Sequence, residues 1–236
     1  MVEKLKRFVK TNKWMYHTAM TLSGKKSLLG KTLKIKKKGI ENTVEIAGTA
    51  LLSNTKIHIT GNNNAVTIAA DCKINKLLIY ILGNNNQINI SNEVRFNNGG
   101  SLWIDDNNCS ITIGSGTTFE STNLALTDPD TKIAIGEDCM FAYDIDIRSG
   151  DSHSVIDNQT KKRINYGKDI VIGNHVWVAS HVSILKGVQL ADDTIVATRS
   201  LVTKSTQTAG TIIGGNPAKI IKTNVTWARE RIPKND

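Results

Sequence analysis

Proline and cysteine each occur only three times in 236 residues, and aromatic side chains make up 5% of the chain. With so little proline and no Gly/Ser-rich stretch there is no candidate linker, and a single domain is the simple reading. An odd number of cysteines argues against a disulfide framework. Scarce aromatics leave few platforms for stacked bases, and no nucleic-acid-binding motif is present, so no nucleic-acid partner is expected. No apolar run approaches the roughly 20 residues that span a membrane. Acidic residues are the minority, 21 against 30 Lys and Arg, for a net charge of +9.

The positive charge is concentrated early. Met1–Met20 sets Lys4, Lys6, Arg7, Lys10 and Lys13 among Leu5, Phe8, Val9, Trp14 and Met15, with no apolar h-region or cleavage site, so it does not read as a secretory signal. Two readings are open: an amphipathic helix capping the fold, or a peripheral membrane contact. Lys25, Lys26, Lys31, Lys34, Lys36, Lys37 and Lys38 then crowd one segment, which is either a solvated cap or an attractor of anions such as an acidic glycan. A cytoplasmic location is expected.

What fills the rest is repetition. An apolar-x-apolar motif returns at Val44, Val66, Ile88, Ile111, Ile133, Ile170 and Val188, at intervals of 22, 22, 23, 22, 37 and 18 residues. Gly61-Asn62-Asn63-Asn64 and Gly83-Asn84-Asn85-Asn86 keep the 22-residue step. A fixed period of this size means stacked coils, because one unit cannot bury its own apolar face. The alternation is that of strands, and the Asn, Gly, Asp and Ser clusters between them suit turns. Asn runs one coil apart would form side-chain ladders. Cys72 and Cys139 fall at inward positions, whereas Cys109 reads as a turn residue with a free thiol.

From Ile172 the pattern tightens to six residues, through Val178, Ile184, Leu190, Val196 and Val202. Three hexads account for the 18-residue step, as in a triangular prism with one hexad per face. The hexads, the run Asp169-Ile170-Val171-Ile172-Gly173-Asn174-His175-Val176-Trp177-Val178 and the late Gly215-Asn216-Pro217-Ala218-Lys219 resemble the hexapeptide-repeat acyltransferases. That resemblance implies an all-β, left-handed parallel β-helix, usually a homotrimer. The expected layout is a basic N-terminal cap at 1–43, the solenoid at 44–205 with an inserted loop at 148–168, and a tail at 206–236 with a short helix.

The 37-residue interval holds about 15 extra residues, and they carry His153. A loop leaving a regular solenoid is a common place for function, and an imidazole, with an ordinary pKa near 6.5, can take a proton from a hydroxyl at physiological pH. The plainer reading is a polar loop residue. The Asp151-Ser152-His153 loop followed by Ile172-Gly173-Asn174-His175-Val176-Trp177 resembles the capsule and sialic-acid O-acetyltransferases of the family, which implies His153 as general base and Trp177 in the same site. Trp177 could equally cover a subunit seam. Asp151, Asp157 or a backbone carbonyl would orient the imidazole, and Arg148 and Asp151 are candidates for acceptor binding. His175 and His181, six apart, fall on adjacent faces and cannot share a metal within one chain, so no metal is expected.

The resemblance also implies acetyl-CoA as cosubstrate. Ala179 and Ser180, with Ala197 and Thr198, match small residues that let the donor approach the backbone. Thr203 and Lys204 resemble the residues at the nucleotide end, and Lys219 would lie near phosphates. Arg199 departs from the glycine that the family often has there. The expected activity is acetyl transfer from acetyl-CoA to a saccharide hydroxyl of a surface or capsular glycan or its precursor. A sugar N-acetyltransferase and a non-enzymatic glycan-binding solenoid are the alternatives.

Overall fold

The structure, a computed structural model, describes residues 33–234. The expectations for Met1–Met20, Lys25, Lys26 and Lys31 lie outside the described residues. The strands wind into a prism with three faces. The first face stacks Leu33–Lys38, Thr55–Thr60, Leu77–Leu82, Gly100–Asp105, Thr122–Leu126, Ile145–Arg148, Ser183–Leu185 and Leu201–Val202. The second runs from Thr43–Ile46 to Gln189–Leu190 in seven strands, and the third from Leu51–Ser53 to the C-terminal hairpin in nine. Every pairing between coils is parallel and in register, so each residue meets its repeat equivalent in the next coil.

Alternation explains why the chain closes on itself. In Thr55–Thr60, Thr55, Ile57 and Ile59 are buried while Lys56, His58 and Thr60 are not. Three such faces enclose one continuous column of Ile, Val, Leu and Phe. Phe96, Phe119 and Phe141 stack inside it with ring centroids 4.4 and 4.7 Å apart, offset pairs that aromatic rings favour. A corner in each coil turns through left-handed backbone at Asn63, Asn85, Asn108 and Asp130 (φ 55–58°), a region in which Asn and Asp are enriched.

The asparagine ladders form. Asn64 Nδ2 donates to Asn42 Oδ1 at 2.9 Å, and the buried Asn64 Oδ1 accepts from the Asn86 amide at 3.0 Å. Outside them runs a second ladder, Asn63 to Asn85 to Asn108 to Asp130, with steps of 3.3, 3.1 and 2.9 Å. Each rung satisfies polar groups that the turn would otherwise leave unpaired.

Three expectations are corrected. Among the described residues the tail carries no helix: Thr211–Gly215 and Ala218–Thr223 form an antiparallel hairpin. Gly214-Gly215-Asn216-Pro217 is turn chemistry, and the isoleucines that follow favour an extended chain. Beyond the hairpin the tail doubles back, and Arg229 bonds Asp138 Oδ1 at 3.0 Å, Thr118 Oγ1 at 3.0 Å and the Cys139 carbonyl at 3.1 Å. Strands also begin earlier than residue 44, since Leu33–Lys38 already pairs with Thr55–Thr60. Cys109, expected in a turn, is instead buried like Cys72 and Cys139, because the 23-residue step returns it to an inward position, while its thiol is free as expected. Burial pushes all three thiols up, Cys139 to about 11. No helix among the described residues is long and apolar enough to cross a membrane.

Candidate active site

The inserted segment leaves the first face after Arg148 and rejoins the second at Ile170. Its neck is closed by the Lys168 amide donating to the Ser149 carbonyl at 2.8 Å. Two glycines make that neck narrow enough. A Cβ on Gly150 would stand 2.7 Å from Thr127 Oγ1, and one on Gly167 would stand 2.6 Å from Asp128 Cβ. Both neck strands therefore press against Thr127 and Asp128 in the coil below. The tip is a small hairpin in which Ile156 pairs with Arg163, and Asp157 Oδ1 caps the turn by accepting from the Gln159 and Thr160 amides at 3.0 and 2.6 Å. Those amide bonds and the Thr160 hydroxyl hold the Asp157 carboxyl below the usual range.

A polar network latches the loop to the prism. Arg163 Nη1 and Nη2 each lie 2.7 Å from an oxygen of the buried Asp128 carboxylate. This two-point geometry is the one a guanidinium makes best, and it raises the Arg163 pKa further. Arg163 also lies over the Tyr166 ring, 5.1 Å from its centroid. Asn165 is the hub. Its Oδ1 accepts from the Val155 amide at 2.7 Å, and its Nδ2 donates to Asp151 Oδ2 and to the His153 carbonyl, both at 2.8 Å. Lys186, from a later coil, reaches Asp151 Oδ2 and the Asn165 carbonyl. Lys186 first and Asn165 second hold the Asp151 carboxyl below its ordinary value.

The result is a fixed backbone beneath a free ring. His153 is exposed, its carbonyl is held by Asn165, and its imidazole has no hydrogen-bond partner among the described residues. Of the expected orienting groups, neither carboxylate, Asp151 or Asp157, bonds that ring, nor does a backbone carbonyl of the described residues; both carboxylates serve the loop itself. His153 lines a cleft of about 270 Å³ with Asp105, Asp106, Thr127, Asp128, Ser152, Ser154 and Arg163. A second lobe of about 330 Å³ shares Asp105, Thr127 and Ser152 with the first, and extends over the first face to Arg148, Ala125 and Trp103. Arg148 there is paired with Asp146 at 2.6 Å.

The other expected residues lie elsewhere. Trp177 sits on the third face, its ring 6.2 Å from that of Trp227, and it lines neither lobe. Ala179 and Ala197 donate to the Val196 and Ile213 carbonyls of successive coils, continuing a file that starts at Ala142 and ends at Gly214. Ser180 accepts the Thr198 hydroxyl at 2.8 Å. Arg199 has φ 57°, left-handed backbone that explains why glycine is common in that place. Thr203, Lys204 and Lys219 are exposed near the C-terminal end of the stack. His175 bonds Asp193 at 2.8 Å and stacks on Trp227, while His181 bonds Asp144 at 2.8 Å. No group of three or more His, Cys, Asp or Glu among the described residues could hold a metal ion.

Asp128, Arg163, Asn165 and Lys186 were not singled out in the sequence. The Arg163–Asp128 and Lys186–Asp151 pairs each span 35 residues, and only the coil geometry brings them together. The one local signal was an arginine and an asparagine just before the loop rejoins the repeat.

No family model matches the chain. Over 119 residues, half of this chain, it is 41% identical to the polysialic acid O-acetyltransferase of Escherichia coli O1:K1 / APEC, and that match spans 38% of the relative. The crystal structure of the polysialic acid O-acetyltransferase OatWY superposes with a TM-score of 0.78 at 34% identity, covering 86% of this chain and 94% of the other. The polySia-specific acetyltransferase NeuO superposes with a TM-score of 0.74 at 31% identity, covering 86% and 92%.

Proposed function

The chain belongs to the hexapeptide-repeat acetyltransferases, alongside the polysialic acid O-acetyltransferases, and on that premise we propose that it transfers acetyl from acetyl-CoA to a hydroxyl of an acidic capsular polysaccharide. The observation that carries the reading is His153, an imidazole left free in a cleft while its backbone is held by a latched loop.

A sugar hydroxyl attacks a thioester only if its proton leaves as the new C–O bond forms. His153 takes that proton at a ring nitrogen and afterwards holds it for the departing sulfur. Acetyl-CoA, when bound, supplies the activated acetyl group and the thiolate leaving group. The file Ala142, Ala179, Ala197 and Gly214 fits such a donor, because small side chains let its pantetheine approach the backbone. Ser180 and Thr198 flank that file, and Thr203, Lys204 and Lys219 are the groups that would meet the nucleotide end. The three cysteines are buried in the prism and take no part.

Trp177 and the donor file are on the third face, whereas His153 leaves the first. A homotrimer reconciles them, since the loop of one copy then meets Trp177 of the partner subunit across a seam. In support, Val155, Ile156, Ile164 and Tyr166 expose 48–61% of their surface at the loop tip, and exposed apolar clusters mark contact surfaces. Polysialic acid is the proposed acceptor, after the activity of the similar enzymes, with Arg148 and Asp151 at the acceptor side. Use of acetyl-CoA fits a cytoplasmic location.

The test is thiol release from acetyl-CoA in the presence of acidic and neutral glycans. The reading expects release with polysialic acid and a product whose acetyl group is lost in mild alkali. An alkali-stable product would make it an N-acetyltransferase, and no thiol release would make it a glycan-binding solenoid.

A further inference from the structure

The strand register sets one outward column across the first face: Lys36, His58, Tyr80, Trp103, Ala125 and Arg148 are direct neighbours in successive coils. Tyr80 and Trp103 stack with centroids 4.0 Å apart and planes 19° from parallel. They make one half-buried aromatic shelf, edged by Leu82, which is 41% exposed. Next to it the column drops to Ala125, the floor of the second lobe, which Trp103 bounds on one side and Arg148 on the other. That lobe adjoins the His153 cleft, sharing Asp105, Thr127 and Ser152 with it. In the opposite direction the face becomes cationic, with Lys36, Lys38 and Lys56 exposed. Asp105 and Asp146 are the carboxylates of the lobe, and Arg148 neutralises the second.

We infer that this column is an extended acceptor track, which holds an acidic polysaccharide chain running from the His153 cleft over Ala125 and the Tyr80–Trp103 shelf to the lysines of the first coils. This rests on the acetyltransferase reading and specifies how its polymer is held. Pyranose rings present apolar C–H faces that pack on aromatic rings, as other apolar groups do. Carboxylates along the same chain meet the lysines, whose field attracts a polyanion and weakens with salt. From Arg148 to Lys36 is five strand steps, about 24 Å at roughly 4.8 Å per step, room for several sugar residues. The shelf therefore contacts long acceptors and not the reacting sugar, so acceptor length becomes a determinant of affinity.

The experiment compares sialic acid dimer, tetramer and octamer, both as acceptors and as ligands bound by the full chain without donor. Wild type should bind the octamer tightest and show a falling acceptor KM with length. Trp103→Ala should lose about tenfold in octamer affinity, with the loss shrinking toward the dimer. The double variant Lys36→Gln, Lys56→Gln should lose octamer affinity at low salt but little at high salt. Lys73→Gln, on the third face, serves as the control and should keep the length dependence. Transfer by a wild type whose length dependence survives the Trp103 and lysine variants overturns the track and leaves the reaction standing. Trp103-dependent octamer binding without acetyl transfer keeps the track and overturns the reaction. No binding and no transfer overturns both. A change of oligomeric state in Trp103→Ala, read by light scattering, would make the face a subunit contact and also overturn the track.

Discussion

Arg163 grips Asp128 through two nitrogens, each 2.7 Å from a carboxylate oxygen, across 35 residues of chain. That pair ties the tip of the inserted loop to the coil beneath it, and Asn165 carries the restraint on to the His153 carbonyl. Catalysis by a positioned base is sensitive to small displacements, with about a hundredfold lost for roughly 1 Å.

Arg163→Ala should therefore lower kcat by tenfold or more, on the order of the positional effect. Asp128 is buried, so the change also leaves its carboxylate without a partner and the melting temperature should fall; kcat is therefore compared well below that temperature. Arg163→Lys should recover only part of the rate, because an ammonium cannot make the two-point contact. Steady-state kinetics beside thermal unfolding check this.

The loop latch has a defined pH range. The Asp151 carboxyl is lowered by Lys186 and Asn165, so its contribution is fully present above the unfolded value near 3.9. It is lost only as pH falls through the lower folded value. The protection of the Val155 and Lys168 amides against hydrogen exchange, relative to their intrinsic rates at each pH, should hold steady from pH 5 to 8 and drop selectively near pH 3. Loss of protection already at about pH 6, well above the carboxylate range, would mean that a different group holds the loop.

Thiol chemistry should be silent. All three cysteines are buried and their pKa values raised, Cys139 to about 11, while alkylation requires the thiolate. Iodoacetamide at pH 8 should label no cysteine in the folded protein and leave turnover intact. In denaturant all three should be labelled. Loss of activity through labelling of a native cysteine would point to a covalent route.

Much of the fold was legible because the prism is periodic. Ile57, Ile79, Leu102 and Leu124 occupy one buried column, and their spacing announces it. The asparagine ladders were legible for the same reason. The tail was misread because Ala218–Thr223 follows the last hexad, where no repeat constrains the chain. His153 was legible as a break in the period. Its support was not, since Asp128 belongs to one coil, Lys186 to another and Asn165 to the loop, and no sequence spacing relates them. Trp103 was hidden as well: only the strand register sets it beside Tyr80 and Ala125.

A trimer should follow from the loop's exposed apolar tip. Light scattering should give three times the mass of one chain, and Ile164→Asp with Tyr166→Asp should weaken the assembly and the turnover together. A monomer that keeps full activity on dilution would contradict the seam.

The central claim is that His153 is the general base. The most direct measurement is the turnover of His153→Ala with acetyl-CoA and polysialic acid, made on protein whose melting temperature and acetyl-CoA affinity match wild type. The account predicts that kcat falls by about 10²–10⁴-fold, because the loop lies outside the stacked core and the donor residues lie on another face. A folded variant that binds acetyl-CoA normally and keeps near-normal turnover would contradict it.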